Sequence, residues 1–182
     1  SFNKYEQVFV HEYKWGAMEN AGIVTFNDLY VWKEKVSNER MLGLANTIAH
    51  ELAHHWFGNL VTMKWWDDLW LNESFADFIS HFCLEKIKPN ITTLKYDSSM
   101  ASFSNRKGWG YTEDQMVTTH PISGTVANTL VAESIFDGIT YSKGAATMKQ
   151  LMFVITEENF SKALSEYFHK FEWKNTILAD FI

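Results

Sequence analysis

The sequence has one cysteine, Cys83, and two prolines among its 182 residues. A single thiol cannot form an internal disulfide or a cysteine-based metal site, and it fits a reducing compartment, with the cytoplasm slightly favoured. No apolar run approaches the roughly eighteen residues that suggest a membrane-crossing helix. Blocks of lysine or arginine are missing and the formal net charge is −6, so nucleic acid and anionic membranes are poor partners. Internal repeats, low-complexity tracts and linkers are also lacking, which favours one compact unit. No leader pattern opens the chain. Ser1 stands inside a strand-like stretch, as expected of a piece cut from a longer protein.

Aromatic residues are plentiful, with eight Trp, fourteen Phe and seven Tyr. The hydrophobic fraction of 46% and charged fraction of 21% are those of a globular chain, long enough to bury a sizeable core. Strand-forming residues over 5–15 are broken by two glycines, Gly16 and Gly22, and resume at 23–26, with a third short strand expected over 29–32. Ser37 or Asn38 can cap a helix over about 38–57, where Met41, Leu44, Ala45, Ile48, Leu52 and Trp56 recur at helical spacing and Gly58 supplies a stop. A second helix is expected from near Asn72 to Lys86, and a third over 91–106. Residues 107–121 look like loop, 123–140 are mixed, and helices are expected over 142–157 and 159–171. Strands first and helices afterwards predict an α+β fold.

The chemistry concentrates at His50-Glu51-Leu52-Ala53-His54, with eighteen residues separating His54 from Glu73. Histidines at i and i+4 share one helix face and can grip one ion, and neutral imidazoles suit zinc. A carboxylate from elsewhere can complete a three-ligand set with one position open. Glu73 lies in the apolar frame Trp70-Leu71-Asn72-Glu73-Ser74-Phe75-Ala76, where an unpaired carboxylate is costly and a metal ion offsets the cost. Glu51, beside the first ligand, can serve as general base. The bland alternative is a pair of core or solvated histidines that bind nothing.

These residues resemble the gluzincin aminopeptidases, the family of aminopeptidase N. The resemblance covers nearly the whole chain, including His55 to Met63 and Trp65 to Leu69. It adds two motifs: Gly16-Ala17-Met18-Glu19-Asn20, similar to the family's exopeptidase signature, and Phe136 to Gly144, similar to the segment that carries its catalytic tyrosine. The resemblance implies a thermolysin-like catalytic domain spanning 1–182, one zinc ion on His50, His54 and Glu73, and peptide substrates with a free N-terminus. It further implies that Glu51 is the general base, that Tyr141 stabilises the oxyanion, and that Glu19 binds the substrate α-amine beside Gly16, Ala17, Met18 and Asn20. Trp15 and Met18 are candidates for lining the side-chain pocket. Family members are longer, with an N-terminal β-domain and a C-terminal helical domain, so flanking domains are expected in the parent protein. His55 stands where many relatives carry Gln, and it points off the ligand face.

Three rivals remain. An endopeptidase has no use for the amine anchor Glu19. Related epoxide hydrolases carry Gly-Gly-Met-Glu-Asn where this chain has Gly16-Ala17-Met18-Glu19-Asn20. The third is a zinc-binding module without turnover. Asp67 and Asp68 are weaker candidates, either for orienting a ligand histidine or simply as solvated loop charges. His11, His81, His120 and His169 are expected to be ordinary surface or core residues.

Overall fold

The computed structural model describes residues 2–90, 95 and 98–182. Strand β1 (Glu6–Val10) lies parallel to β3 (Ile23–Asn27), and the two-residue β2 (Ala17–Met18) runs antiparallel on β3's other side. Val24 and Phe26 alternate inward along β3 and are fully buried, which fixes its register. β2 is left as an edge strand. The strand expected over 5–15 stops at Val10, since Glu12 takes a positive φ of 53° that extended backbone does not accommodate. The short strand expected over 29–32 is instead a 3-10 turn, Asp28–Tyr30: the Asn27 side chain accepts from Leu29 N at 2.8 Å and winds the chain there.

Helix α1 (Asn38–Ala53) starts at Ser37, whose side chain accepts from Arg40 N at 3.3 Å. It ends at Ala53, and residues 54–57, expected to be helical, form the turn that leads into Gly58. Strand β4 (Val61–Met63) pairs in parallel with β5 (Lys174–Thr176), tying the chain's last part to the end of α1. Helix α2 (Leu69–Ile87) begins at Leu69 rather than near Asn72. It is apolar or small-sided nearly all round, the pattern of a helix enclosed by others. It packs on α1, α3 and α5, with Phe75, Ala76 and Phe78 in the core.

Helix α3 (Ser99–Asp114) replaces the helix expected over 91–106, of which residues 91–94, 96 and 97 lie outside the described residues. Ser98 caps it at Ala101 N, and Glu85 on α2 accepts from Ser99 N at 2.7 Å. It runs on through Gly108 and Gly110, where loop was expected. A Cβ at Gly110 would stand 3.1 Å from both Gly138 O and Lys143 N, so close packing selects glycine inside this helix. Beyond α4 (Thr129–Ser134), a π-helical turn over Ile139–Lys143 passes directly into α5 (Gly144–Ile155), followed by α6 (Glu157–Phe171) and α7 (Leu178–Phe181). The result is a helix-rich mixed fold with a few strands. Among the described residues no helix is long and apolar enough to cross a membrane.

Candidate active site

His50, in the last turn of α1, and His54, which caps its end, lie one turn apart with their Nε2 atoms 3.0 Å from each other. Glu73, one turn into α2, brings Oε2 to 3.4 Å from His50 Nε2 and 3.3 Å from His54 Nε2. Ligands held tetrahedrally at zinc's usual bond lengths of about 2.0–2.1 Å stand about 3.4 Å apart. The three atoms therefore form a triangle of the right size for one such ion.

Backbone contacts orient one of these candidate ligands. His54 Nδ1 lies 3.0 Å from Phe57 O, a carbonyl that can only accept, so Nδ1 carries the hydrogen and a neutral ring presents a lone pair at Nε2. Gly58 makes the turn possible: its φ of +126° favours glycine, and a Cβ there would meet His54 O at 3.2 Å. Both histidines are sequestered, His54 almost completely.

The site gathers three carboxylates, and among the described residues only the histidines oppose their charge. Glu51 and Glu73 are buried, and Glu19 on the segment after β2 brings Oε1 to 4.0 Å from His54 Nδ1. Glu19, Glu51 and His54 form a second converging set. Among the described residues no lysine or arginine pairs with any of the three carboxylates, and Glu51 Oε2 is buried without a hydrogen-bond partner. Burial pushes the Glu51 carboxyl up to about 8; the nearby His54 opposes this, and the charges of Glu19 and Glu73 add to it. Burial also pushes against ionisation of Glu73, but His54 and His50 outweigh it and hold that carboxyl well below the usual range. A divalent cation would offset this excess of buried carboxylate, so the donor set fits a metal ion.

Tyr141 closes the far side of His50, with ring centroids 6.0 Å apart and nearly parallel. Burial, together with the charge of the Glu73 carboxylate, keeps the Tyr141 phenol protonated. The π-helical turn carries Tyr141, and its neighbour Thr140 gives its carbonyl to Ser74 Oγ on α2, one residue beyond Glu73. Turns of this kind aim a side chain that a regular α-turn would misplace.

Comparison with known proteins decides the family. The family model described as the peptidase family M1 domain matches residues 1–182. The chain belongs to peptidase family M1. It is 46% identical to the aminopeptidase N of Streptomyces lividans over 182 residues, covering 100% of this chain and 21% of that protein. Against the leucyl aminopeptidase of Saccharolobus solfataricus the identity is 39% over 178 residues, 97% of this chain and 22% of the relative. Against the glutamyl aminopeptidase of Sus scrofa it is 37% over 184 residues, 100% of this chain and 19% of the relative. The chain thus spans about a fifth of the length of these relatives.

Within this M1 chain the other expected residues fall as follows. Ala17 and Met18 form the edge strand, Gly16 O accepts from Asn27 N at 2.8 Å, and Asn20 Nδ2 donates to Thr25 Oγ1 at 3.3 Å. Met18 and Trp15 are exposed. Asp67 and Asp68 are not solvated loop charges, and neither hydrogen-bonds His50 or His54 among the described residues. Asp67 Oδ1 accepts from Val126 N, and the buried Asp68 accepts from Leu178 N at 3.1 Å, so both pin loops. His55 is buried against Phe2 and Tyr5, with Nδ1 on Glu51 O at 3.2 Å.

Sequence reasoning missed several supports. Asn59 donates to Glu19 O at 2.7 Å and fastens that segment to the end of α1. Trp109 and Phe136 wall the Tyr141 ring. Arg106 lies over the same ring at 5.8 Å and is held by the buried Asp77 at 2.6 Å. Asp77 stands at i+4 from Glu73, so helical spacing alone could have flagged it.

Proposed function

We propose that the chain is the thermolysin-like catalytic core of a zinc-dependent aminopeptidase that removes the N-terminal residue of peptides. The triangle of His50 Nε2, His54 Nε2 and Glu73 Oε2, 3.0–3.4 Å on a side, carries this reading. Bound by those three residues, zinc would supply Lewis acidity and lower the pKa of a water molecule toward about 7.

The chain's own groups then divide the work. Glu51 takes the proton of the attacking water and later delivers it to the leaving amine. Burial raises its proton affinity, which suits a group that takes a proton from water and passes it on. The Tyr141 hydroxyl donates to the oxyanion that develops at the scissile carbonyl. Glu19 pairs with the substrate's α-ammonium. An internal peptide bond offers no ammonium, so cleavage is confined to the first residue. Ala17 and Met18, on a free sheet edge, offer backbone groups to an extended substrate.

The chain's share of its relatives' length supports a parent protein with flanking domains. Peptides with a free N-terminus are the substrates in this reading. A test uses the full-length parent with two aminoacyl arylamides, one with a free and one with an acetylated α-amine. Hydrolysis of the free form alone is expected, and equal hydrolysis of both would remove Glu19 from its role. Glu51→Gln should keep the zinc and lose turnover; turnover at the wild-type rate would end the general-base assignment.

A further inference from the structure

The segment that carries Glu19 connects the proposed reaction centre to a cavity further along α1. Glu19 neighbours His54, near the end of α1. Gly16, at the other end of the same segment, lies near the Tyr30 hydroxyl, which bonds Thr47 Oγ1 at 3.0 Å, and both Gly16 and Gly43 line a single cavity. The segment 16–19 therefore runs alongside α1 from about Gly43 toward His54. Gly43 is seven residues, about two helical turns, before His50 and so shares its face.

That cavity, about 480 Å³, has Trp15, Tyr30 and Trp32 among its walls and Lys14 and Arg40 at its sides. No carboxylate lines it, although the chain as a whole carries a net charge of −6. Arg40 makes no ion pair among the described residues and lies over the Trp32 ring at 5.8 Å. Lys14 lies over Trp15 at 4.5 Å, and its 3.3 Å pair with Glu133 is exposed at both ends, so it exchanges readily for another anion. Trp32 brings a further donor: its Nε1 is buried and has no hydrogen-bond partner among the described residues.

We infer that this cavity is a subsite for a carboxylate on the substrate, downstream of the cleaved bond. The inference rests on the aminopeptidase reading, because Glu19 sets the direction of the peptide. With the α-ammonium at Glu19, an extended chain along β2 advances about 3.3 Å per residue, and Glu19 to Gly16 spans about 10 Å. The third or fourth substrate residue then reaches Lys14 and Arg40. Either the free C-terminus of a short peptide or an acidic side chain at that position supplies the carboxylate.

The test compares trialanine and tetraalanine, each with a free and an amidated C-terminus, on the zinc-loaded full-length parent. Alanyl p-nitroanilide is the control, being too short to reach the cavity. A second pair, Ala-Ala-Asp-Ala amide and Ala-Ala-Lys-Ala amide, separates an acidic side chain from a free terminus. Losing the carboxylate is expected to raise KM about tenfold at unchanged kcat. The double variant Lys14→Met/Arg40→Met should erase that difference and leave kcat/KM for the control unchanged. Calorimetric binding of the same peptides to the Glu51→Gln protein should show the same ratio without turnover. Equal KM for acid and amide, or a preference that survives in the double variant, overturns the subsite while cleavage of the control upholds the aminopeptidase reading. If no free-amine substrate is cleaved, that reading falls and the subsite falls with it.

Discussion

Helices α1 and α2 each contribute to the triangle of candidate ligands, yet they are held in place by different forces. Within α1 only Glu51 and Ala53 are buried, and the helix begins with a side-chain cap from Ser37. In α2 thirteen of nineteen residues are buried, and its first turn lacks a side-chain cap bond. One helix is a local device whose chemistry is written in its own spacing. The other is a spine whose carboxylate acquires meaning only once the surrounding helices have packed. Changes in α1 should therefore act on chemistry at little cost in stability, and changes in α2 should act on the fold.

Glu51→Gln is the largest expected effect. General base catalysis contributes about 10²–10⁴-fold, so kcat in the full-length parent should fall by about a thousandfold. Thermal stability should hold or rise, because a buried ionisable carboxyl gives way to an uncharged amide of the same shape. A drop of several degrees in Tm would blur the contrast between the helices. Phe78→Ala on α2 does the opposite: the side chain is fully buried, and its loss should cost about 3–5 kcal/mol and lower Tm by roughly 10 °C. Calorimetry of the folded protein decides that case.

Ser37→Ala should cost about 1 kcal/mol by removing the cap that α1 depends on, measurable as a shift in denaturation midpoint. Leu52→Ala is the smallest. Leu52 is 42% exposed, so within this chain the substitution should change stability by no more than about 0.5 kcal/mol. A cost near 2 kcal/mol in the full-length parent would instead show a flanking domain seated on that face of α1.

The same contrast explains how much was legible in the sequence. The start of α1, its two histidines and Glu51 follow from helical period and cap chemistry, which act within a few residues. Glu73 was recognisable because a carboxylate in an apolar frame demands a partner. The course of α3 was not, since Gly108 and Gly110 signal loop by propensity, and only the close approach of Gly138 and Lys143 explains why glycine stands inside a helix. Tyr141 depends on a π-helical turn that leaves no periodic trace, so its place beside His50 was suggested by family resemblance alone. The buried Asp77 and its partner Arg106 join α2 to α3, a pairing no local pattern encodes.

The most direct test of the central claim is the zinc content of the folded protein and of its Glu73→Ala and Glu51→Gln variants. Convergence of His50, His54 and Glu73 predicts one zinc per chain in the wild type, retention in Glu51→Gln, and a large loss of affinity in Glu73→Ala. Wild-type protein that binds no zinc when supplied with it, or a Glu73→Ala variant that binds as tightly as wild type, would contradict it.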